Sequence, residues 1–279
     1  MLSIEEKLAE EVRYGITVPL SKRQYDEKMQ EQRDVYLVPT EKMTFIIAHC
    51  IYNEAEYFKE CLEDDLNMND VDIIHITDGA WANYGGGTAK STDGTREIIN
   101  NFKKRAEKVG VKVIYESRGI WSHESTKRNF QLKEIDKLVK TPYYVLVKDG
   151  DEFFHFMSGR QSLWLKRDMV EWMKTPNDVG IINTNSYNSD IDMLGVRLFP
   201  STNKIHYYTE KPMILHDVDH ELVMDYNVDT FKINTKRCFK FASFILINRW
   251  NIRNKDRIQE KFGYLHEQDN DINTKCKFI

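Results

Sequence analysis

The chain has 279 residues, with 40 Lys plus Arg and 44 Asp plus Glu, so its formal net charge is -4 at pH 7. The isoelectric point of about 6.1 provides no positive field for holding a polyanion, which disfavours a dedicated nucleic-acid-binding protein. A chain of this length buries roughly three quarters of its unfolded surface, so a sizeable core needs no disulfide or metal staples. Six Pro and 13 Gly exclude a collagen-like or Pro/Gly-rich disordered chain.

The cysteines and the apolar stretches indicate the compartment. The four cysteines are Cys50, Cys61, Cys238 and Cys276. They form neither a C-x-x-C pair nor a Cys/His cluster with zinc spacing, so we expect reduced thiols. The N-terminus lacks the basic and apolar regions of a signal peptide, and the longest apolar stretch, 241–247, is far shorter than the ~20 residues that span a bilayer. The sequence therefore predicts a soluble, cytoplasmic protein.

The first part of the chain, 1–42, is predicted to be a helical extension. Ser3-x-x-Glu6 and Ser21-x-x-Gln24 both have the form of a helix capping box. The segment carries few large apolar residues, so we expect it to pack on a core; a helical hairpin that grips a partner is the alternative.

From Met43 onward, short apolar runs alternate with amphipathic segments. The predicted strands are 45–48, 72–77, 111–115, 143–147 and 179–182, and the predicted helices are 54–66, 95–109, 124–139 and 163–173. This alternation is typical of right-handed βαβ crossovers and a mainly parallel sheet. We predict an α/β domain over 43–230, with 231–279 as a C-terminal extension packed on the same domain. Ligands of such sheets bind at the carboxyl ends of the strands.

Acidic side chains follow three of these predicted strands. Glu54 follows the first strand, Asp78 ends the second, and Asp149 and Asp151 follow the fourth. Carboxylates crowded at one sheet edge repel one another and need a compensating cation. Because Gly150 lets the backbone turn, both aspartates can face one hard divalent ion, and Mg²⁺ or Mn²⁺ suits such oxygen ligands and recruits substrate phosphates.

Two other interpretations apply to Asp149-Gly150-Asp151. Asp-Gly is also a common turn dipeptide, so the tripeptide alone is weak. The D-x-D-x-T motif of haloacid-dehalogenase phosphatases needs Thr or Val where this chain has Phe153, and it normally follows the first strand. The position of the turn after a strongly apolar strand, in register with the other strand-end carboxylates, favours the ion site.

Several short motifs occur in order over about residues 43 to 220. They are Tyr52-Asn53-Glu54, Thr77-Asp78-Gly79-Ala80, Ser91-Thr92-Asp93-Gly94-Thr95, Lys127-Arg128-Asn129, Asp149-Gly150-Asp151, Arg197-Leu198-Phe199 and His216. In this combination they resemble the family-two glycosyltransferases of the GT-A fold, a Rossmann-like fold. In that family the second and third motifs usually run together, whereas here 81–90 is inserted between them.

The resemblance implies transfer of a sugar from a nucleoside diphosphate sugar to an acceptor hydroxyl, with inversion at the anomeric carbon. A divalent ion, Mn²⁺ or Mg²⁺, would offset the charge that grows on the leaving diphosphate. The implied ligands of that ion are Asp149, Asp151 and His216. The implied contacts to the nucleotide sugar are Tyr52, Glu54, Asp78, Lys127, Arg128, Asn129 and Asp149.

Each of these residues also has an ordinary structural explanation. Asp78 could belong to a strand-end turn, and Glu54 could be a carboxylate favoured at a helix N-terminus. Basic residues on an amphipathic helix, such as Lys127 and Arg128, are usually solvated. A single histidine such as His216 is more often a hydrogen-bonded structural residue.

An inverting transferase also needs a carboxylate beside the acceptor hydroxyl as general base. Asp217 is the first candidate, because it follows the motif region after the fifth predicted strand. The alternative candidates are Asp190, Asp192, Asp219 and Glu221.

Two segments leave two interpretations open. The loop Gly85-Gly86-Gly87 is a flexible insertion or a lid over the donor. The aromatic, apolar and basic tail 236–250 is either a core element with solvated flanks or an interfacial helix that brings the enzyme to the inner face of a membrane.

The sequence thus predicts a metal-dependent, inverting glycosyltransferase with a nucleoside diphosphate sugar as donor and a glycan or lipid-linked sugar as acceptor. The first alternative is a sugar-phosphate nucleotidyltransferase, which should carry a Gly-rich, basic loop where this chain has Tyr52-Asn53-Glu54. The second is a non-catalytic binding module of GT-A type, against which the intact Asp149 and Asp151 count.

Overall fold

The structure is a computed structural model that describes part of the chain. The described residues are 43–68, 70–82, 87–156, 179–186, 192–201, 206–208, 211–216, 222–225, 232–233, 238–240 and 244–249. The chain divides into two units, 1–41 and 42–279, and every described residue belongs to the second. The predicted N-terminal extension, the predicted helix 163–173 and most of the glycine loop lie outside the described residues, so the domain boundaries stay a prediction.

The first half of the described chain alternates strands and helices. Its elements are β1 (Thr44–Ile51), α1 (Ala55–Leu66), β2 (Ile73–Asp78), α2 (Thr95–Ala106), β3 (Lys112–Ser117), α3 (Glu124–Leu138) and β4 (Tyr143–Lys148). A 3₁₀ turn, Glu107–Val109, follows α2, so the predicted second helix ends in a tighter turn. The predicted first strand, 45–48, ends three residues before β1 does, and the other predicted bounds in this half agree with the structure to within one or two residues.

The second half of the described chain consists of strands. They are β5 (Glu152–Phe156), β6 (Val179–Ser186), β7 (Asp192–Pro200), β8 (His206–Tyr208), β9 (Lys211–His216), β10 (Leu222–Asp225), β11 (Lys232–Ile233), β12 (Cys238–Lys240) and β13 (Phe244–Asn248). Strand β5, which begins immediately after the Asp149-Gly150-Asp151 turn, was not predicted from the sequence.

The described strands form a nine-stranded sheet in the order β3-β2-β1-β4-β7-β6-β13-β5, with β12 paired to β6. Neighbours among β3, β2, β1 and β4 are parallel, and β7 is antiparallel to both β4 and β6. A second sheet has the order β11-β10-β9-β8. The predicted fold class, an α/β domain with a mainly parallel central sheet flanked by helices, is confirmed.

Both faces of the parallel part of the sheet are covered. Phe45 and Ile47 of β1 pack in one apolar cluster with residues of α1 and α2, while Ile46 and Ala48 pack in another with Ile135 of α3. A strand buried on both faces is apolar along its whole length, which explains why the sequence of β1 shows no polar alternation.

The described part of the C-terminal tail belongs to this sheet. Strand β13 lies between β6 and β5, and its Leu246 is fully buried in the main core. The interfacial-helix interpretation is therefore wrong for 244–248, because these residues satisfy their backbone hydrogen bonds in the sheet. Within the described part of the chain, no helix has the length and apolar character needed to cross a membrane.

Candidate functional site

The carboxyl ends of four parallel strands form one edge of the sheet. Ile51 at the end of β1 pairs with Asp78 of β2, Asp78 pairs with Ser117 of β3, and His49 of β1 pairs with Lys148 of β4. The Asp149-Gly150-Asp151 turn follows Lys148 at this edge, where ligands of α/β sheets bind.

Glu54 lies directly beside that turn. A Cβ atom placed on Gly150 would be 3.3 Å from Glu54 Cγ and 3.3 Å from Phe58 Cδ2, so only a glycine leaves the present gap undisturbed. The structure thus brings together Glu54, Asp149 and Asp151, which the sequence placed after different strands.

Asp149 is engaged by two arginines. Arg128 Nη2, on α3, donates to Asp149 Oδ1 at 2.7 Å, and Arg197 Nη2, on β7, lies 3.4 Å from Asp149 Oδ2. The Asp149 side chain keeps 31% of its surface exposed, whereas Asp151 is buried. The turn therefore carries one carboxylate that is partly open to solvent and one that is enclosed.

Glu152 and Arg197 are functional candidates that the prediction of site residues missed. Glu152 is fully buried; its Oε1 accepts from Arg197 Nη2 at 2.7 Å and its Oε2 accepts from the backbone N–H of Asp149 at 2.8 Å. Burial raises the pKa of Glu152 to about 7, against the lowering effect of Arg197, and the carboxylates of Asp149 and Asp151 raise it further.

Arg128 is held by more than Asp149. Its Nε and Nη2 donate to Glu124 Oε1, one helical turn earlier, at 3.0 and 2.7 Å, and its guanidinium lies 5.8 Å from the ring centroid of Tyr207. Burial alone would lower the pKa of Arg128, but the Asp149 and Glu124 carboxylates outweigh it and keep the pKa above its ordinary value. Its Nη1 atom is buried and has no hydrogen-bond partner among the described residues.

Lys127 points into the molecule. Its Nζ donates to the carbonyl oxygen of Ile51 and, at 2.9 Å, to that of Gly79, and it lies 5.3 Å from the ring centroid of Trp81. Burial lowers the pKa of Lys127 to about 8. Lys127 and Arg128 are both buried, so the interpretation of this pair as solvated surface residues is wrong: α3 packs these two basic residues against the strand ends and the Asp149 turn.

Asp78 organises the segment that leads into α2. Its carboxylate accepts from the backbone N–H of Gly79 at 2.7 Å, from Ser91 N and Oγ at 2.9 and 2.6 Å, and from Tyr115 Oη at 2.7 Å. Burial and the bonded Asp78 carboxylate raise the pKa of Tyr115. This bonding is the structural role that the sequence left open for Asp78.

The residues after β1 hold the same segment from the other side. Thr88 donates its backbone N–H to Tyr52 Oη at 3.0 Å, and Glu54 donates its own to Thr95 Oγ1 at 2.8 Å. Asn53, with φ of 52°, accepts from the N–H of Thr92 at 2.8 Å. The predicted site residues Tyr52 and Asp78 therefore shape this edge of the sheet through one shared loop, 88–95.

The remaining predicted site residues lie toward the second sheet. Asn129 on α3 donates through Nδ2 to the carbonyl oxygen of Tyr207 and accepts its N–H at Oδ1, both at 2.7 Å, which ties α3 to β8. Tyr207 pairs with Leu215, so the end of β9 at His216 is near, although the His216 side chain is outside the described part. Asp217 also lies outside the described residues.

A second polar cluster lies beneath the edge. The ligand atoms of His49, Cys61 and Asp65 all lie within 4.8 Å of one another, and all three residues are buried. Their oxygens and nitrogens are already used: His49 Nε2 donates to Asp65 Oδ2 at 2.6 Å, and Lys148 Nζ donates to Asp65 Oδ1 at 2.5 Å. The cluster is thus a buried charge network in which both oxygens of the Asp65 carboxylate are already engaged, one by Lys148 and the other by His49.

A cleft opens beside the end of β3. It has a volume of about 340 Å³ and is lined by Lys90, Tyr115, Glu116, Ser117 and Arg118. Tyr115 connects it to Asp78. The cleft and the Asp149 turn thus lie at the same edge of the sheet, at the ends of different strands.

The Asp149-Gly150-Asp151 turn fits a hard divalent ion, because its ligand atoms would be carboxylate oxygens. Mg²⁺ is commonly bound by one or two carboxylates, with waters and substrate phosphates completing its shell. Burial is the main cause of the raised pKa of Glu152, and the neighbouring Asp149 and Asp151 carboxylates add to it, a repulsion that a cation would relieve. Asp149 and Asp151 are the residues that would hold it.

Comparison with known proteins finds likenesses among solved structures. No protein-family model matches the chain, and no curated protein matches it. Among solved structures 22 chains match. One is the crystal structure of TarS from S. aureus, a staphylococcal glycosyltransferase, with 14% sequence identity and a TM-score of 0.48. The match covers 85% of this chain and 46% of the TarS chain, so this chain spans less than half of that protein.

Proposed function

We propose that this chain is a glycosyltransferase that moves a sugar from a nucleoside diphosphate sugar to an acceptor hydroxyl, with inversion and with the help of Mn²⁺ or Mg²⁺. The observation that carries the proposal is the Asp149-Gly150-Asp151 turn at the carboxyl end of β4, with Arg128 and Arg197 against Asp149. Carboxylates at one sheet edge can bind a divalent ion, and fixed guanidinium groups beside them can stabilise the negative charge of a departing diphosphate.

The residues around the turn have distinct proposed roles. Asp149 and Asp151, with His216 as a further ligand, would hold a divalent ion that stabilises the negative charge on the leaving diphosphate. Arg128 and Arg197 place positive charge beside the same position before the reaction starts. Such preorganised charge needs no reorganisation when the bond to the sugar breaks.

The nucleotide is proposed to lie along the ends of β1, β2 and β3. Tyr52, Glu54 and Asp78 shape this stretch through the loop 88–95. Lys127 and Asn129 support it from α3 by fixing the strand ends and β8. The acceptor is proposed to be a glycan or a lipid-linked sugar, with Asp217 as general base.

A sugar-phosphate nucleotidyltransferase is less well supported. Between the end of β1 at Ile51 and the start of α1 at Ala55 the chain has only Tyr52, Asn53 and Glu54. These residues leave no room for a Gly-rich loop that wraps phosphates directly after the first strand.

The test is a calorimetric titration of the wild-type protein with the diphosphates of uridine, guanosine, cytidine, thymidine and adenosine, each with and without Mn²⁺. We expect one of them to bind only when Mn²⁺ is present, which would also identify the nucleotide of the donor. A folded protein that binds none of the five under either condition contradicts the proposal and favours a binding module of another kind.

A further inference from the structure

The two carboxylate oxygens of Asp149 are both engaged by cations from the chain itself. Arg128 Nη2 lies 2.7 Å from Oδ1 and Arg197 Nη2 lies 3.4 Å from Oδ2. These two oxygens are also the ligand atoms through which Asp149 would bind the proposed divalent ion. The ion and the guanidinium groups therefore compete for one carboxylate.

Each arginine has a second carboxylate partner. Arg128 keeps Glu124 Oε1, to which both Nε and Nη2 donate, and Arg197 keeps Glu152 Oε1 at 2.7 Å. The loss of a buried ion pair is costly when it leaves a buried charge without a partner. Neither guanidinium would be left in that state on leaving Asp149. Exchange at Asp149 is therefore feasible for both.

Arg128 also carries an unused donor. Its side chain is only 8% exposed, and Nη1 has no hydrogen-bond partner among the described residues. A buried N–H donor without an acceptor costs free energy, and such donors are rare in folded proteins. The planar guanidinium matches the geometry of phosphate oxygens, so an oxyanion is the ligand that this donor fits.

We propose that Arg128 and Arg197 bind the diphosphate of the donor. Asp149 holds these two arginines in place until a divalent ion binds to its carboxylate and releases them. The inference rests on the proposed function and names which side chains contact the phosphates. An ion at Asp149 frees the guanidinium groups for the diphosphate, and a diphosphate that attracts them frees Asp149 for the ion. Binding of the ion and of the diphosphate is therefore mutually favourable.

This exchange predicts effects of opposite sign when one arginine is removed. Without Arg197, the ion meets less competition at Asp149 and binds more tightly, while the diphosphate loses a partner and binds more weakly. An arginine that only supported the fold would weaken the binding of both ligands, so the two roles are distinguishable.

The experiment titrates wild-type protein and Arg197→Gln with Mn²⁺ alone and, separately, with inorganic pyrophosphate in EDTA. In the variant we expect Mn²⁺ to bind about fivefold more tightly and pyrophosphate about fivefold more weakly, the lower end of typical coupling between sites. Arg105→Gln is the matched control, because it removes the same charge from an exposed residue paired with Glu63. It should leave both affinities unchanged.

Mn²⁺ binding that is unchanged or weaker in folded Arg197→Gln overturns the exchange, and so does undiminished pyrophosphate binding. If Arg197→Gln does not fold, because the buried Glu152 has lost its arginine partner, the same two titrations are made on Arg128→Gln. The Arg128 partner Glu124 is 35% exposed, so water can solvate it when Arg128 is removed. A wild-type protein that binds neither Mn²⁺ nor pyrophosphate would instead refute the proposed function itself.

Discussion

Asp149 and Asp151 are separated by a single glycine, yet the structure gives their side chains different surroundings. Asp149 is partly exposed and shared by two arginines, whereas Asp151 is 3% exposed. An enclosed carboxylate loses less conformational freedom when it binds an ion, because packing already restricts its rotamers. Asp151 is thus the more preorganised of the two proposed ligands.

We expect Asp151→Asn to reduce the affinity for Mn²⁺ at least tenfold, or about 1.4 kcal/mol, because the amide keeps the shape but removes the charge. Calorimetric titration with Mn²⁺ measures this. The control is Asp136→Asn, an exposed position where an amide oxygen can still accept from Tyr143 Oη. Wild-type Mn²⁺ affinity in Asp151→Asn would remove Asp151 from the proposed ion site.

At the residue scale, the sequence predicted where chemistry-bearing side chains fall but not which of them are buried. Lys127 and Arg128 occupy neighbouring positions that usually face solvent, and both are buried. The reason is that α3 crosses the ends of β1 and β2, where the carbonyl oxygens of Ile51 and Gly79 accept from the Lys127 ammonium. These acceptors belong to segments distant in sequence, so the order of polar and apolar residues along α3 does not indicate them.

At the scale of elements, the segments after β2 and β3 cross closely. The backbones of Trp81 and Trp121 form a parallel bridge, and the Trp121 indole N–H donates to the carbonyl oxygen of Asp78 at 3.3 Å. Gly79 lies in this crossing with φ of 128°, and Gly119 has a similar φ of 133°. The two glycines share a backbone conformation that is strained for any residue with a side chain, but they differ in the space around them.

Replacing each glycine by alanine separates the effect of backbone strain from the effect of steric overlap with neighbouring atoms. A Cβ on Gly79 would lie 2.6 Å from the carbonyl oxygen of Gly119, whereas a Cβ on Gly119 meets nothing within 4 Å. We expect Gly119→Ala to lower the unfolding free energy by about 1–3 kcal/mol through backbone strain. Gly79→Ala should lower it by about 1–3 kcal/mol more through overpacking.

Urea denaturation of the two variants measures the difference. Equal losses of unfolding free energy in Gly79→Ala and Gly119→Ala would show that the crossing relaxes without cost and that the close approach of the two backbones is not required.

At the scale of the whole molecule, a buried charge network connects one helix to two strands. Lys148 of β4 donates to Asp65 of α1 at 2.5 Å, and the ring nitrogens of His49 on β1 face Asp65 and the carbonyl oxygen of Lys148. Burial raises the pKa of Asp65, but the Lys148 ammonium and the hydrogen bonds from Lys148 and His49 outweigh burial and lower that pKa, so the Asp65 carboxyl stays ionised. The network anchors the backbone just before Asp149.

We expect Lys148→Met to lower the unfolding free energy by about 3–5 kcal/mol, because the buried Asp65 carboxylate loses its ammonium partner. The double variant Lys148→Met/Asp65→Leu should recover much of that loss, since both charges are then gone. Arg105→Met, which breaks the exposed pair with Glu63, should leave stability near that of the wild type.

Thermal and urea unfolding of these three variants and of the single variant Asp65→Leu form the measurement. A Lys148→Met protein as stable as the wild type, or a double variant that loses the sum of the two single effects, would show that the buried charges do not depend on each other.

The sequence by itself determined the α/β class, the order and approximate positions of the first helices and strands, and the position of the Asp149-Gly150-Asp151 turn. Apolar periodicity and strand-end chemistry are local properties, so they can be read along the chain. The tertiary structure alone decided that Arg197 reaches Asp149, 48 residues away, and that Glu152 completes that cluster. Strand β7 returns antiparallel to β4, and no spacing along the chain specifies which charged side chains this return brings together.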